Sequence, residues 1–237
     1  MMKPALHYLI SILLLFIYTG NLSGFIQLTT TYSVGIQDNN PGKRFLLNGR
    51  IWRNAYSNVT GDQFFLVNNF LKGSVTLDGV KFDELDLKYD IHNDELILRT
   101  ESHPVIFMNK EMVDSFSLVY GNRSYKIINT GTGSPGVLRG YVNVLYEGSS
   151  SLYVKYTKKI HPLADGGKYD LFVEEHFIYI GKDTEIIPVN GKRKFMSLLE
   201  DKRKEVRDYM RNNRIKVIWK NPQTFIPILL FYDSIRK

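Results

Sequence analysis

From residue 43 to 189, short runs of β-prone residues alternate with turn signals. Leu85, Leu87, Tyr89 and Ile91 alternate with Asp86, Lys88 and Asp90. Successive side chains of a strand point to opposite faces, so this spacing predicts a strand with the apolar set inward and the charged set in water. Just before it, Asp78-Gly79 separates Val75-Thr76-Leu77 from Val80-Lys81-Phe82. Asp-Gly accepts the positive φ angles of a type I′ turn and predicts a hairpin. His92-Asn93-Asp94 and Gly121-Asn122 read as further turns, and Gly131–Gly136 as a loose loop. Strand-like stretches recur at 95–99, 105–108, 113–120, 124–128, 141–146, 152–159, 169–174, 176–180 and 185–189. Strands this short and this closely spaced imply an antiparallel meander rolled into a sandwich or an open barrel.

After Asn190-Gly191 the period changes. Phe195, Leu198, Leu199, Val206, Tyr209 and Met210 fall on one face of a helix. Asp201 is placed to cap a second helical piece, and Asn212-Asn213 to end it in a left-handed residue. Asn221-Pro222 reads as the start of a last helix, which Pro227 should kink or shorten. The expected class is α+β, mainly β, with two to three C-terminal α-helices.

The first 37 residues follow neither period. Residues 4–37 carry no formal charge, and Leu6–Tyr18 is an apolar run preceded by Lys3 and followed by small and polar residues. This is the layout of a secretory signal, with cleavage expected near Gly20–Gly24. The alternative is an uncleaved anchor, because Phe25, Ile26 and Leu28 extend the stretch toward the ~20 residues that span a bilayer. The expected organisation is a signal peptide (1–24), a flexible lead-in (25–42), a β-rich domain (43–190) and a basic helical segment packed on it (191–237). The chain has no cysteine, which removes disulfides and thiol chemistry. Hydrophobic residues make up 43%, enough for a core and against wholesale disorder.

Charge changes the picture at the C-terminus. The net charge of +7 is carried by residues 192–220, which hold eleven Lys or Arg against four Asp or Glu; the rest of the chain is balanced. Lys202, Arg203, Lys204, Arg207, Arg211 and Arg214 lie mostly off the apolar stripe. They are the candidate anion- or surface-binding residues. The expected partners are envelope proteins or an anionic membrane or cell-wall surface. Nucleic acid is not expected of an exported chain.

Other constellations match ordinary structure better than chemistry. Asp90, His92, Asp94 and Glu95 are dense in capable side chains, but they lack the spacing of an EF-hand loop and suit turn chemistry. Glu174-Glu175-His176 lacks the H-E-x-x-H pattern and reads as strand positions around a bulge or tight turn. His103 and His161 precede prolines. Gly148-Ser149-Ser150-Ser151 has no second glycine of a nucleophile elbow, and the 131–136 loop has no following Lys-Ser/Thr to cradle phosphate. No catalytic residue, metal ligand or cofactor is assigned.

Several stretches resemble a family of exported proteins common in Bacteroidota. They are Gly73–Leu77 with Asp78-Gly79, Leu87–Ile91 with Asn93-Asp94-Glu95, Lys110–Phe116, Gly140–Gly148, Leu152–Tyr156, and Arg211–Val217 followed by a short helix with Tyr232. The likeness spans roughly residues 45–235. That family has no assigned activity, so the resemblance implies export and a β-rich fold only. This chain has His92 where related sequences tend to carry an aromatic, which weakens a catalytic reading of that histidine. The expectation is a non-enzymatic periplasmic or cell-envelope module. The alternatives are a carrier of an apolar ligand in a cavity lined by the many Tyr and Phe, and an unrecognised hydrolase.

Overall fold

Among the described residues twelve strands follow one another: β1 (Gly49–Ile51), β2 (Val59–Thr60), β3 (Leu71–Leu77), β4 (Val80–Asp90), β5 (Glu95–Arg99), β6 (Ile106–Met108), β7 (Val113–Tyr120), β8 (Arg123–Asn129), β9 (Tyr141–Glu147), β10 (Ser150–Asp165), β11 (Tyr169–Lys182) and β12 (Glu185–Val189). Three helices end it: α1 (Lys192–Leu198), α2 (Arg203–Asn212) and α3 (Ile226–Ile235), with short 3₁₀ turns at Glu200–Lys202 and Pro222–Phe225. The computed structural model describes residues 45–131 and 138–236. The expected signal (1–24), the lead-in (25–42) and residues 132–136 of the glycine-rich loop lie outside the described residues.

The strands make a single open sheet in the order β1-β6-β5-β4-β3-β7-β8-β9-β10-β11-β12, with β2 added parallel to β11. The β-rich class with C-terminal helices is as expected. The meander is not simple, because β7 returns to the free edge of β3 after β4, β5 and β6 have been laid down on its other edge. That return forces the sheet to coil. In a flat sheet β6 and β7 would lie about 19 Å apart, four strand spacings. The link Asn109–Met112 is a tight turn, in which Met112 N donates to Asn109 O (3.1 Å) and Val113 N to Lys110 O (3.3 Å), so it cannot cover that distance. The far half of β10 folds over the same concavity, and Lys158 N donates to Ile91 O (3.4 Å). The barrel remains open.

The Asp78-Gly79 hairpin forms as predicted, with φ of 46° and 80° at the two turn residues. Leu87, Tyr89 and Ile91 point inward as predicted, each buried. Their partners in alternation depart from expectation. Lys88 and Asp90 are buried too, at 7% and 1% exposure, not in water. The reason is tertiary: residues 63–65 run antiparallel beside the end of β4, with Phe65 N donating to Tyr89 O (2.9 Å) and Ile91 N to Gln63 O (3.0 Å), and side chains of the segment before β3 cover the outer face. Phe64 bridges to Asp90, and the Lys88 ammonium lies 4.2 Å and 4.7 Å from the rings of Phe64 and Phe70 and donates to Asn68 Oδ1 (3.0 Å). Burial holds the Lys88 ammonium below its ordinary pKa.

Inside the coil the sheet is filled by its own aromatic residues. Phe65, Tyr89, Phe116, Tyr125, Tyr141 and Tyr156 form a chain of mostly edge-to-face contacts, with ring centroids 4.9–6.1 Å apart. The helices pack on the other end of the sheet. Phe195, Leu199, Val206, Met210, Ile228, Leu229 and Tyr232 meet Leu152, Ile178, Ile180 and Val189 in a second core. The helical face read from the sequence is therefore the docked face. Three details differ. Asp201 caps nothing; its carboxylate accepts from Tyr232 Oη (2.8 Å) and Lys182 Nζ (3.1 Å), tying α3 and β11 together. The left-handed residue that ends α2 is Arg214 (φ 55°), one past Asn213. Pro227 does not interrupt the last helix but sits in its first turn, where its missing N–H costs nothing.

Candidate functional site

α2 carries Arg203, Arg207 and Arg211 at intervals of four, so they stack along one side of the helix. Beyond the left-handed turn at Arg214 the chain doubles back past α2, and Ile215 N donates to Met210 O (2.8 Å). α1 lies opposite. Between them opens a groove of about 1230 Å³, lined by Lys192, Arg193, Arg203, Arg207, Arg211, Arg214 and Lys216 over a floor of Met196, Met210 and Ile215. Seven cations line it and no carboxylate does.

Four of the six residues singled out from the sequence line this groove: Arg203, Arg207, Arg211 and Arg214. Lys202 and Lys204 do not. Lys204 lines a neighbouring depression with Glu200, Asp201, Glu205 and Asp208, which Arg203, Arg207 and Arg211 also border. Arg203 and Arg211 reach carboxylates on that side, Glu200 at 3.6 Å and Asp208 at 2.9 Å. Both pairs are exposed and of small energetic weight. Among the described residues, Lys192, Arg193, Arg207, Arg214 and Lys216 form no ion pair within 4.0 Å. Arg203 Nε is buried without an acceptor, a donor left over at the groove wall.

Sequence reading missed Lys192, Arg193 and Lys216. Each sits in the basic run, so the charge signal was present. What was not legible is that α1 and α2 dock into the same core at the sheet end and that the chain reverses at Arg214, which together bring separate stretches to one groove.

The carboxylate–histidine stretch at the β4–β5 turn is dispersed by the fold. Asp90, covered on the outer face of β4, accepts from the backbone of His92 (3.0 Å) and Asn93 (2.9 Å), and burial raises its pKa despite these bonds. His92 sits edge-on to Tyr56 and Phe172, with Nδ1 donating to Lys158 O (2.8 Å). Glu95 pairs with Arg50 (2.9 Å). Asp94, which is left-handed at φ 60°, forms the centre of an ionic knot. Lys110 Nζ (2.5 Å), Lys155 Nζ (2.6 Å) and Tyr89 Oη (2.7 Å) all donate to its carboxylate. Burial alone would raise the Asp94 pKa, but the two ammoniums and these hydrogen bonds outweigh it and the carboxyl is held low. With one carboxylate between two ammoniums, the Lys155 ammonium is under-compensated. Burial, with Lys110 close by, holds it below the ordinary lysine value. The knot ties three separate loops and strands together and is structural.

At the second histidine stretch, β11 runs in unbroken register opposite β10 through Glu174, Glu175 and His176, without the bulge or turn expected there. His176 Nε2 donates to Trp219 O (2.7 Å), and Glu175 pairs with Lys159 (2.7 Å). Among the described residues no group of three His, Asp or Glu is placed to hold a metal ion. Among them, too, no helix is long and apolar enough to cross a membrane. No protein-family model, curated protein or solved structure matches this chain.

Proposed function

We propose that this protein is an exported, non-enzymatic module of the cell envelope that holds anionic groups in the groove between α1 and α2. One observation carries the reading: seven cationic side chains converge on a groove with no carboxylate in its lining. Like charges gathered this way repel one another, and an anion entering the groove relieves that repulsion. Export, and with it the envelope location, rests on the sequence pattern of Lys3 and Leu6–Tyr18.

Two other readings are less well supported. A carrier of an apolar ligand needs room inside the coil, and the interior there is occupied by packed rings. A hydrolase needs capable side chains free in one cleft, whereas Asp90, His92, Asp94 and His176 are each bound to structural partners.

The test is equilibrium binding of the full chain to a labelled inorganic polyphosphate. Reversing Arg207 and Arg211 together to Glu should weaken binding at least tenfold and flatten its salt dependence. Reversing Lys81 and Lys126, exposed cations on the sheet, should not. Equal losses in the two variants would reject the groove as the site.

A further inference from the structure

We propose that the loop after the groove, Lys216–Asn221, is a membrane-docking tip that seats Ile218 in the interface of an anionic lipid bilayer while the groove cations hold lipid headgroups. The proposal rests on the reading of the groove as an anion site and names the surface that supplies the anions.

The loop alternates like a strand. Val217 and Trp219 turn inward and pack against the helical core, so Lys216, Ile218 and Lys220 turn outward. Ile218 is 51% exposed and is flanked on its own face by two exposed lysines. Lysine stems lie along apolar surface while their ammoniums reach for phosphate, so this triplet suits a headgroup layer. Lys216 also lines the groove, which makes the tip and the cationic groove one continuous surface.

The backbone on either side of the tip is bonded within the loop. Ile218 N donates to Thr224 Oγ1 (2.9 Å), Asn221 N donates to Ile218 O (2.8 Å), and Thr224 Oγ1 donates to Asn221 O (2.8 Å). The N–H and C=O groups of Ile218 and Asn221 are therefore bonded within the loop, which lowers part of the cost of bringing backbone to a lipid interface. The tip is also anchored. Trp219 O accepts from His176 on β11, and the indole stands edge-on to Phe225 (5.1 Å, 69°). A hydrophilic cell-wall polymer would use the cations but gain nothing from Ile218, which is why the observations favour lipid.

The experiment uses the full chain and vesicles of phosphatidylcholine with or without one-third phosphatidylglycerol. The signal is the phosphatidylglycerol-dependent part of sedimentation, since Leu6–Tyr18 is common to every sample. Ile218→Ser should lower that part roughly fivefold to tenfold, because about half of an isoleucine side chain remains to be buried. Ile218→Leu should restore it, and binding to soluble polyphosphate should not change. On a Trp52→Phe background, Trp219 emission should shift to the blue with phosphatidylglycerol vesicles only. Reversal of Arg207 and Arg211 to Glu should lower both vesicle and polyphosphate binding. If Ile218→Ser sediments like the parent while the arginine variant is lost, the docking tip is wrong and the anion site stands, with a soluble or wall polymer as its ligand. If the parent shows no dependence on phosphatidylglycerol, the docking tip is wrong outright. If the arginine variant changes neither binding, the anion-site reading itself fails.

Discussion

Replacing Asp94 by Asn removes the carboxylate that pairs with two half-hidden ammoniums, Lys110 and Lys155. The side chains of Lys110, Lys155 and Asp94 are 24%, 18% and 22% exposed, so water reaches the knot but does not solvate it fully. Removing one partner of a buried ion pair costs about 3–5 kcal/mol because the other charge is stranded. The partial exposure places this case near the lower end, about 3 kcal/mol. For a folded unit of this size that corresponds to a fall in Tm of roughly 6–12 °C. The knot holds two ammoniums on one carboxylate, which predicts an asymmetry. Lys155→Met removes the surplus charge and leaves the Asp94–Lys110 pair intact, so it should cost less than half as much. The pH dependence has a definite sign. A carboxyl whose folded pKa lies below the unfolded value of about 3.9 adds stability above that pH, and loses it as pH falls through the folded value. Asp90, raised by burial, acts in the opposite direction, so the difference between parent and Asp94→Asn isolates Asp94. That difference should be constant above about pH 5 and shrink below about pH 4. Urea unfolding at a series of pH values measures it. A loss below 1 kcal/mol, or a Lys155→Met loss equal to that of Asp94→Asn, would refute the electrostatic account of the knot.

Other consequences follow from the same geometry. Gly140 has φ 72°, and a Cβ there would overlap Asp94 Oδ2. Gly140→Ala should therefore cost about 2 kcal/mol or more, read by thermal unfolding, from backbone strain and displacement of the knot. Tyr232→Phe removes the hydroxyl that donates to Asp201 from a fully buried ring, and should cost about 1.5 kcal/mol in urea unfolding. Asp233 accepts from Ser150 N (2.9 Å) and Tyr146 Oη (2.9 Å) and fastens α3 to the β9–β10 turn. Asp233→Ala should raise hydrogen exchange in α3 while leaving β3–β7 unchanged.

Much of the fold was legible because period and turn chemistry are local. The β7 and β12 boundaries and the Asp78-Gly79 turn follow from alternation and from positive φ at two residues. The apolar stripe through Phe195, Leu199, Val206 and Met210 follows from the helical period. What was not legible depends on which surface meets which. Alternation at Lys88 and Asp90 shows two faces of a strand, but nothing in those residues says that Phe64 and Phe70 cover the second one. The coiling of the sheet follows from the strand order, and the order is set by β7 choosing the edge of β3. At the groove, charge density located the segment, and the spacing of Arg203, Arg207 and Arg211 located one wall. The other wall, Lys192 and Arg193, is brought there by the docking of Phe195 and Met196 of α1 into the core at the sheet end, and Lys216 by a chain reversal at a non-glycine left-handed residue.

The central claim is that anions bind between α1 and α2, and mapping amide chemical shifts of the full chain during titration with inorganic polyphosphate tests it most directly. The account predicts shifts concentrated at Lys192–Met196 and Arg203–Lys216, saturating together and absent when Arg207 and Arg211 are both Glu. Shifts centred on the β10–β11 hairpin tip or the β3–β7 sheet, with the groove silent, would contradict it.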